Sequence, residues 1–344
     1  MKREKKKRES KIQLRNMSSE LINNLNTSIT YLYKYVLLTI YILGNFGNIF
    51  SFLLFLRKSW RKKVCVFYFQ VALFFNTCYL NCTTIGLTLI NGFSFLFHNQ
   101  NNFMCKGYFY FSFVFATISP TILILASIDR LLISSQNVDT RLYSSKRLAY
   151  FSISVSIIFW ILVNIHLLFK VNMQQPYPFL RYCYYDSSEQ YLNIVSISST
   201  SIHVIFFVLM IALCLLSFKN VKQIRIISSH QRQVTRSMTK KDFQLLRCLF
   251  VQDLVFILFG MLIIINYLYM TATSYQTRTV LRSTIENFLK YLFNLFYAVP
   301  FAADFFVFIL VSKAFRSECT RIVCRTVRKR PESIQNNEHR LCNT

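Results

Sequence analysis

Apolar residues in this chain are gathered into long blocks instead of alternating with polar ones. Seven blocks can be marked: about Tyr31 to Leu56, Val64 to Asn91, Cys105 to Ser135, Ala149 to Phe169, Ile194 to Phe218, Phe243 to Thr271 and Phe288 to Ser312. Each exceeds the roughly 20 residues that a helix needs to cross the hydrocarbon of a bilayer, at a rise of about 1.5 Å per residue. Lipid offers the backbone no hydrogen bonds, so spans of this length are expected to be helices. Barrel strands would show polar alternation, and none is visible. With 6 Gly and 5 Pro in 344 residues, a turn-rich β architecture or a loop-heavy soluble enzyme is disfavoured. The pattern predicts an all-α membrane protein, a bundle of seven transmembrane helices.

The net charge of +26 would by itself suggest a phosphate-binding protein. The cations, however, fall between the blocks and at the two ends, which points to a lipid bilayer as partner and away from nucleic acid. Seven crossings put the termini on opposite sides. With the N-terminus outside, the inner segments 57–63, 130–148, 219–247 and 313–344 carry 25 Lys and Arg, against 7 in the outer connections and at the edge of the first span. That asymmetry predicts an extracellular tail (1–30), a membrane domain (31–312) and a cytoplasmic tail (313–344), in the plasma membrane. Met1–Arg15 opposes the rule, because its eight Lys and Arg would have to cross. Either Met17 is the real start or a basic tail tolerates translocation; no apolar run of a signal peptide follows it.

Cys105 opens the third block and Asp129-Arg130 closes it, a separation of about 36 Å along a helix, or one membrane thickness. An ionisable pair at the end of an apolar helix is a functional candidate by default. Here the chain resembles the rhodopsin-like G-protein-coupled receptors, which have a Cys at the outer tip of the third helix and an Asp/Glu-Arg-Tyr triplet at its inner tip. Leu131 stands where that family has Tyr. The resemblance implies that Asp129 holds Arg130 at rest, and that Arg130 turns on activation into a cavity receiving a heterotrimeric G protein.

The same resemblance pairs Cys105 with Cys183, in the connection between the fourth and fifth blocks. Of the ten Cys, only these two face the oxidising side in this topology, so the count also yields one disulfide. Gly47-Asn48 resembles the family's Gly-Asn pair of the first helix, and Trp160 its Trp of the fourth. Asn76 stands where the family has a sodium-binding Asp, facing Ser119; without the carboxylate no metal site is expected. The sixth block lacks the Cys-Trp-x-Pro run, and Gly260 is expected to loosen the helix there. The fifth lacks its Pro, with Phe206 near that place. Asp304-Phe305-Phe306-Val307-Phe308 resembles Asn-Pro-x-x-Tyr with Asp, Phe and Phe substituted. A polar network of Asn48, Asn76, Ser119, Asp304 and Phe308 is therefore expected between helices, with Asp304 a second carboxylate within reach of Arg130.

After the seventh block, Lys313–Arg325 alternates apolar with basic residues, and resembles the family's short amphipathic helix on the inner leaflet. Cys319 and Cys324 on it are juxtamembrane thiols, open to palmitate or left unmodified. Asn16 and Asn26 sit in glycosylation sequons that face outside, whereas Asn81, also in a sequon, lies inside a span. The position where amine receptors carry an Asp is Ser112, which disfavours an amine. Arg181, Tyr184, Tyr185 and Arg282, with Tyr182 and Arg278, make an outer vestibule suited to a peptide. The whole chain resembles divergent invertebrate neuropeptide receptors, so the expected ligand is an extracellular peptide. No His pair has metal-ligand spacing and no phosphate loop occurs, so neither an enzyme nor a cofactor is expected. The alternative is a seven-helix transporter or a chemosensory membrane protein that does not use G proteins.

Overall fold

A computed structural model of the chain describes residues 17, 19–61, 63–133, 144–177, 180–185, 189–226, 240–273 and 275–328. Among them, six helices are long and apolar enough to cross a membrane. They are α1 (Ser19–Phe55), α2 (Val64–Gly92), α3 (Asn102–Ile133), α4 (Lys146–Lys170), α5 (Glu189–Ile226) and α6 (Lys240–Ala272). A bent pair, α7 (Val280–Ala302) and α8 (Asp304–Val311), meets at 52° and makes a seventh if it counts as one crossing. A last helix, α9 (Lys313–Arg328), follows. Between α4 and α5 lies an antiparallel hairpin, β1 (Val171–Tyr177) and β2 (Leu180–Tyr185), with Met173 opposite Cys183 and an irregularity between Gln174 and Tyr177.

Burial sorts the helices. More than half of the apolar window of α3 is buried (56%), against 22% in α4 and in α5. The central helix is thus α3, packed against α2, α4, α5 and α6. The outward faces carry large apolar side chains such as Phe46, Phe151, Leu215 and Leu310, each at least 66% exposed. Water would not tolerate so many, and hydrocarbon does. These are the features of a multi-pass membrane protein.

Close helix contact is bought with small residues. A methyl group at Gly44 would lie 2.6 Å from Ala302 Cβ, and one at Gly47 would lie 2.7 Å from Phe305 Cβ. Both glycines let α1 reach the α7–α8 junction. Pro300 lacks an N–H and cannot donate back to Phe296, so the helix is interrupted at Ala298, and it breaks again at Ala303. The Phe301 carbonyl beside the break accepts a hydrogen bond from Asn48 Nδ2 at 2.9 Å. A buried amide thus satisfies backbone that the bend exposes.

Several expectations need revision. Helix α1 begins at Ser19, well outward of the first apolar block, and α7 begins at Val280 instead of near Phe288. Helices continue past the hydrocarbon because polar turns can keep their own hydrogen bonds in water. Gly260 does not loosen α6, which runs unbroken across it. It makes room instead, since a Cβ there would collide with the Phe207 ring of α5. Phe308, placed by its motif in a polar network, is fully buried among Phe55, Phe69 and Phe315, at ring distances of 4.9, 5.1 and 5.4 Å. A ring with no polar atom belongs in such an aromatic plug.

Candidate functional site

At one end of α3, Asp129 and Arg130 are buried, 4% and 1% exposed. Arg130 Nη2 donates to Asp129 Oδ2 at 2.7 Å and Nε does so at 3.3 Å. The Ser144 hydroxyl donates to Asp129 Oδ1 at 2.6 Å, which fixes the carboxylate from the connection preceding α4. Asp242, in the first turn of α6, reaches across: its Oδ1 lies 3.7 Å from Arg130 Nη1 and its Oδ2 lies 2.8 Å from Lys63 Nζ. Among the described residues, the carboxylates of Asp129 and Asp242 thus face the cations of Arg130 and Lys63. The helix N-terminus also favours an acid at Asp242. This residue ties α6 to α3 and to the start of α2. The sequence reading did not single it out, although an acid opening an apolar helix among basic residues was visible.

Toward the middle of the bundle, Asp304 is 2% exposed. Asn76 Nδ2 donates to its Oδ2 at 2.6 Å, and Gln252 Nε2 of α6 donates to its Oδ1 at 2.7 Å. Ser119 of α3 donates to Asn76 Oδ1 through a short contact. Asn76, Ser119 and Asp304 are therefore brought together as expected, whereas Asn48 bonds instead to the Phe301 carbonyl and does not join them. Gln252 is a member that the sequence reading missed. With both Asp304 oxygens occupied by amides, the second carboxylate at Arg130 is Asp242.

A separate carboxylate, Asp253, is completely buried one residue further along α6. Its Oδ2 accepts from Ser127 Oγ of α3 at 2.9 Å and from Cys214 Sγ of α5 at 3.3 Å. Gln252-Asp253 stood in plain view inside the sixth apolar block, where polar residues signal function by default.

At the other end of α3, Cys105 and Cys183 form the expected disulfide, with Cα atoms 5.5 Å apart. Asn99 Oδ1 accepts from the Cys183 N–H at 2.8 Å, so β2 is held to the α2–α3 connection as well. Beside it His98 is buried, and burial pushes its pKa below the ordinary range. Arg282, expected in an open vestibule, is already engaged: its Nε lies 2.8 Å from Glu286 Oε1 and its Nη2 donates to Tyr269 Oη at 3.1 Å. Arg278 Nε holds the other Glu286 oxygen at 3.1 Å. This clasp joins the ends of α6 and α7, and Glu286 was not foreseen. Arg181, Tyr184 and Tyr185 lie on β2, and their side chains lie outside the described residues, as does Asn16. Ser112 is half-buried and faces Cys82 at 3.9 Å.

Trp160 Nε1 donates to Thr121 Oγ1 at 2.8 Å and so anchors α4 on α3. His203 bridges inward, with Nε2 3.0 Å from Tyr297 Oη. On α9, Phe315 is fully buried and Glu318 pairs with Arg57 at 3.0 Å. Cys319 keeps a free, half-buried thiol whose pKa burial pushes up to about 11. Cys324, on the same helix, is also half-buried. Asn26 is exposed on α1. No group of three metal-ligating side chains occurs among the described residues. In comparisons with known proteins, the chain matches no family profile and no curated protein.

Proposed function

We propose that the chain is a divergent rhodopsin-like G-protein-coupled receptor that passes the binding of an extracellular ligand, a neuropeptide, to heterotrimeric G proteins. In this reading α7 and α8 are one bent crossing, the bundle has seven spans, and the N-terminus is outside the plasma membrane. Helix α9 is then the amphipathic helix along the inner leaflet. The observation that carries the reading is the buried Asp129–Arg130 pair of α3, met by Asp242 of α6, at the opposite end of α3 from the Cys105–Cys183 bond. One end is built to be fixed. The other is built from ion pairs that can exchange partners.

The resting state is the one described above. Asp129 and Asp242 hold Arg130 and keep α6 against α3, with Lys63 as a second tie on Asp242. A ligand that favours a parted α6 must overcome those pairs, and a G protein that fills the space α6 leaves offsets the cost. Coupling from the outer face runs through α6 by way of Gln252, Asp304 and Asn76. The Tyr269–Arg282–Glu286–Arg278 clasp supports a peptide ligand, because an anionic or phenolic group would compete with Glu286 for the two arginines.

The test begins with a pooled neuropeptide screen against the full chain. Arg130→Ala should abolish agonist-driven nucleotide exchange and leave surface expression and peptide binding largely intact, since Arg130 lies a membrane thickness from any outer ligand. Equal exchange by the two proteins refutes the reading. The break at Ala303 beside a buried carboxylate favours one rival, a transporter with a discontinuous helix. Solute flux into vesicles without nucleotide exchange would select that rival.

A further inference from the structure

Among the described residues, most buried carboxylates have a cation. Asp129 and Asp242 meet Arg130, Glu286 meets Arg278 and Arg282, and Glu318 meets Arg57. Asp304 has none, but an amide N–H donates to each of its oxygens. Asp253 differs. It is 0% exposed, both its hydrogen bonds fall on Oδ2, and Oδ1 has no partner. A buried carboxylate in this condition is poorly compensated and gains strongly from an arriving cation.

The helix register says which cation can arrive. Ser127, the donor to Asp253, precedes Arg130 by three residues on α3. It therefore lies on the same face, about 4.5 Å nearer the middle of the bundle. On α6, Asp242 and Asp253 are eleven residues apart, which is about three turns and returns to the same face, about 16 Å away. Arg130 is rooted between these two levels. The α6 residues between the two acids on that side include Leu245, Leu246 and Leu249, all buried and apolar. An arginine leaving Asp242 finds no acceptor among those leucines before the free Oδ1.

We infer that Asp253 is the second station of Arg130: when α6 releases the Asp242 pair, the guanidinium swings toward the middle of the bundle and pairs with Asp253. This rests on the receptor reading above. Asp253 is then a positioning residue, and the bare oxygen it keeps at rest biases the protein toward the state in which Arg130 has moved. The resting pairs with Asp129 and Asp242 oppose that bias, so the two α6 carboxylates tip the balance between two positions of an arginine that Asp129 also holds at rest.

The experiment needs no agonist. Membranes carrying the full chain are supplied with a panel of heterotrimeric G proteins, and basal nucleotide exchange is measured per receptor at the surface. Asp242→Asn should raise basal exchange about fivefold or more, the range of a typical coupling. Adding Asp253→Asn, which keeps the shape and an oxygen for Ser127, should return it to the wild-type level. Asp253→Leu, which removes the buried polar group altogether, should do the same. Asp253→Glu in the same background should retain the gain, which a merely structural role would not predict. If the double variant with Asn or Leu signals as strongly as Asp242→Asn alone, the second station is wrong and the receptor reading stands. If Asp242→Asn gains nothing and adding Arg130→Ala changes nothing, both fall.

Discussion

Cutting the Cys105–Cys183 bond has an effect whose size can be worked from the chain. The bond closes a separation of 78 residues, for which the chain-entropy relation gives about 4.5 kcal/mol. That figure assumes a fully unravelled chain. In a bilayer α3 and α4 keep their backbone hydrogen bonds, so reduction frees mainly the segment from Lys170 to Cys183. Those roughly 13 residues give about 3 kcal/mol by the same relation. Cys105→Ser, Cys183→Ser and the double variant should each lose about 3 kcal/mol, with the double no worse than either single. After the partly exposed thiols, including any partner cysteine freed by substitution, have been blocked in the native state, a thiol-reactive dye reports unfolding, because Cys65 and Cys248 are free and fully buried until the bundle opens. Heating in detergent should show the same drop of several degrees in all three variants. Losses that add between the two single variants would refute a shared bond, and a loss near the larger figure would mean that the helices unravel with the hairpin.

Asp304→Leu strips Asn76 and Gln252 of their acceptor, and should cost about 2–5 kcal/mol by leaving two buried amides unpaired; an unchanged midpoint in the same assay would contradict the network. His98 is held neutral by burial, so below about pH 6.5 the unfolded chain binds a proton that the folded one resists. Stability should therefore fall as pH drops through that value, and His98→Phe should flatten the midpoint between pH 5 and 7; an identical slope in the variant rejects this. An epitope after Thr344 should be reached by antibody only after permeabilisation, and any glycosidase shift should vanish in an Asn16→Gln, Asn26→Gln variant, because Asn81 sits in a span; labelling of intact cells overturns the orientation.

The crossings were legible because an apolar block of twenty residues has one physical solution in lipid, and α2 and α3 begin and end close to their blocks. Helix ends were less so, since α1, α5 and α7 run several residues beyond their blocks into polar sequence, where hydropathy carries no signal. Asn76, Ser119 and Asp304 were found through their motif positions, and geometry joins them. The partners Gln252, Asp242 and Glu286 were equally present in the sequence, but which helix face meets which is decided by packing. Motif position also misled. It put Phe308 in a polar network, and it drew attention to Phe305 as the missing proline while Pro300 stands five residues earlier, where the helix is interrupted at Ala298. Gly260 was read as a hinge because a glycine in a helix has two uses, and only the Phe207 ring shows that space is the one served here.

The central claim is that Asp129 and Asp242 hold Arg130 where it keeps the site closed to a G protein. Capture of nucleotide-free heterotrimer by membranes bearing wild type, Asp129→Asn, and Asp129→Asn with Arg130→Ala tests it without a ligand. Freed of its neighbour, Arg130 should raise capture above wild type in Asp129→Asn, and removing Arg130 as well should abolish it. Equal capture by all three would contradict the account.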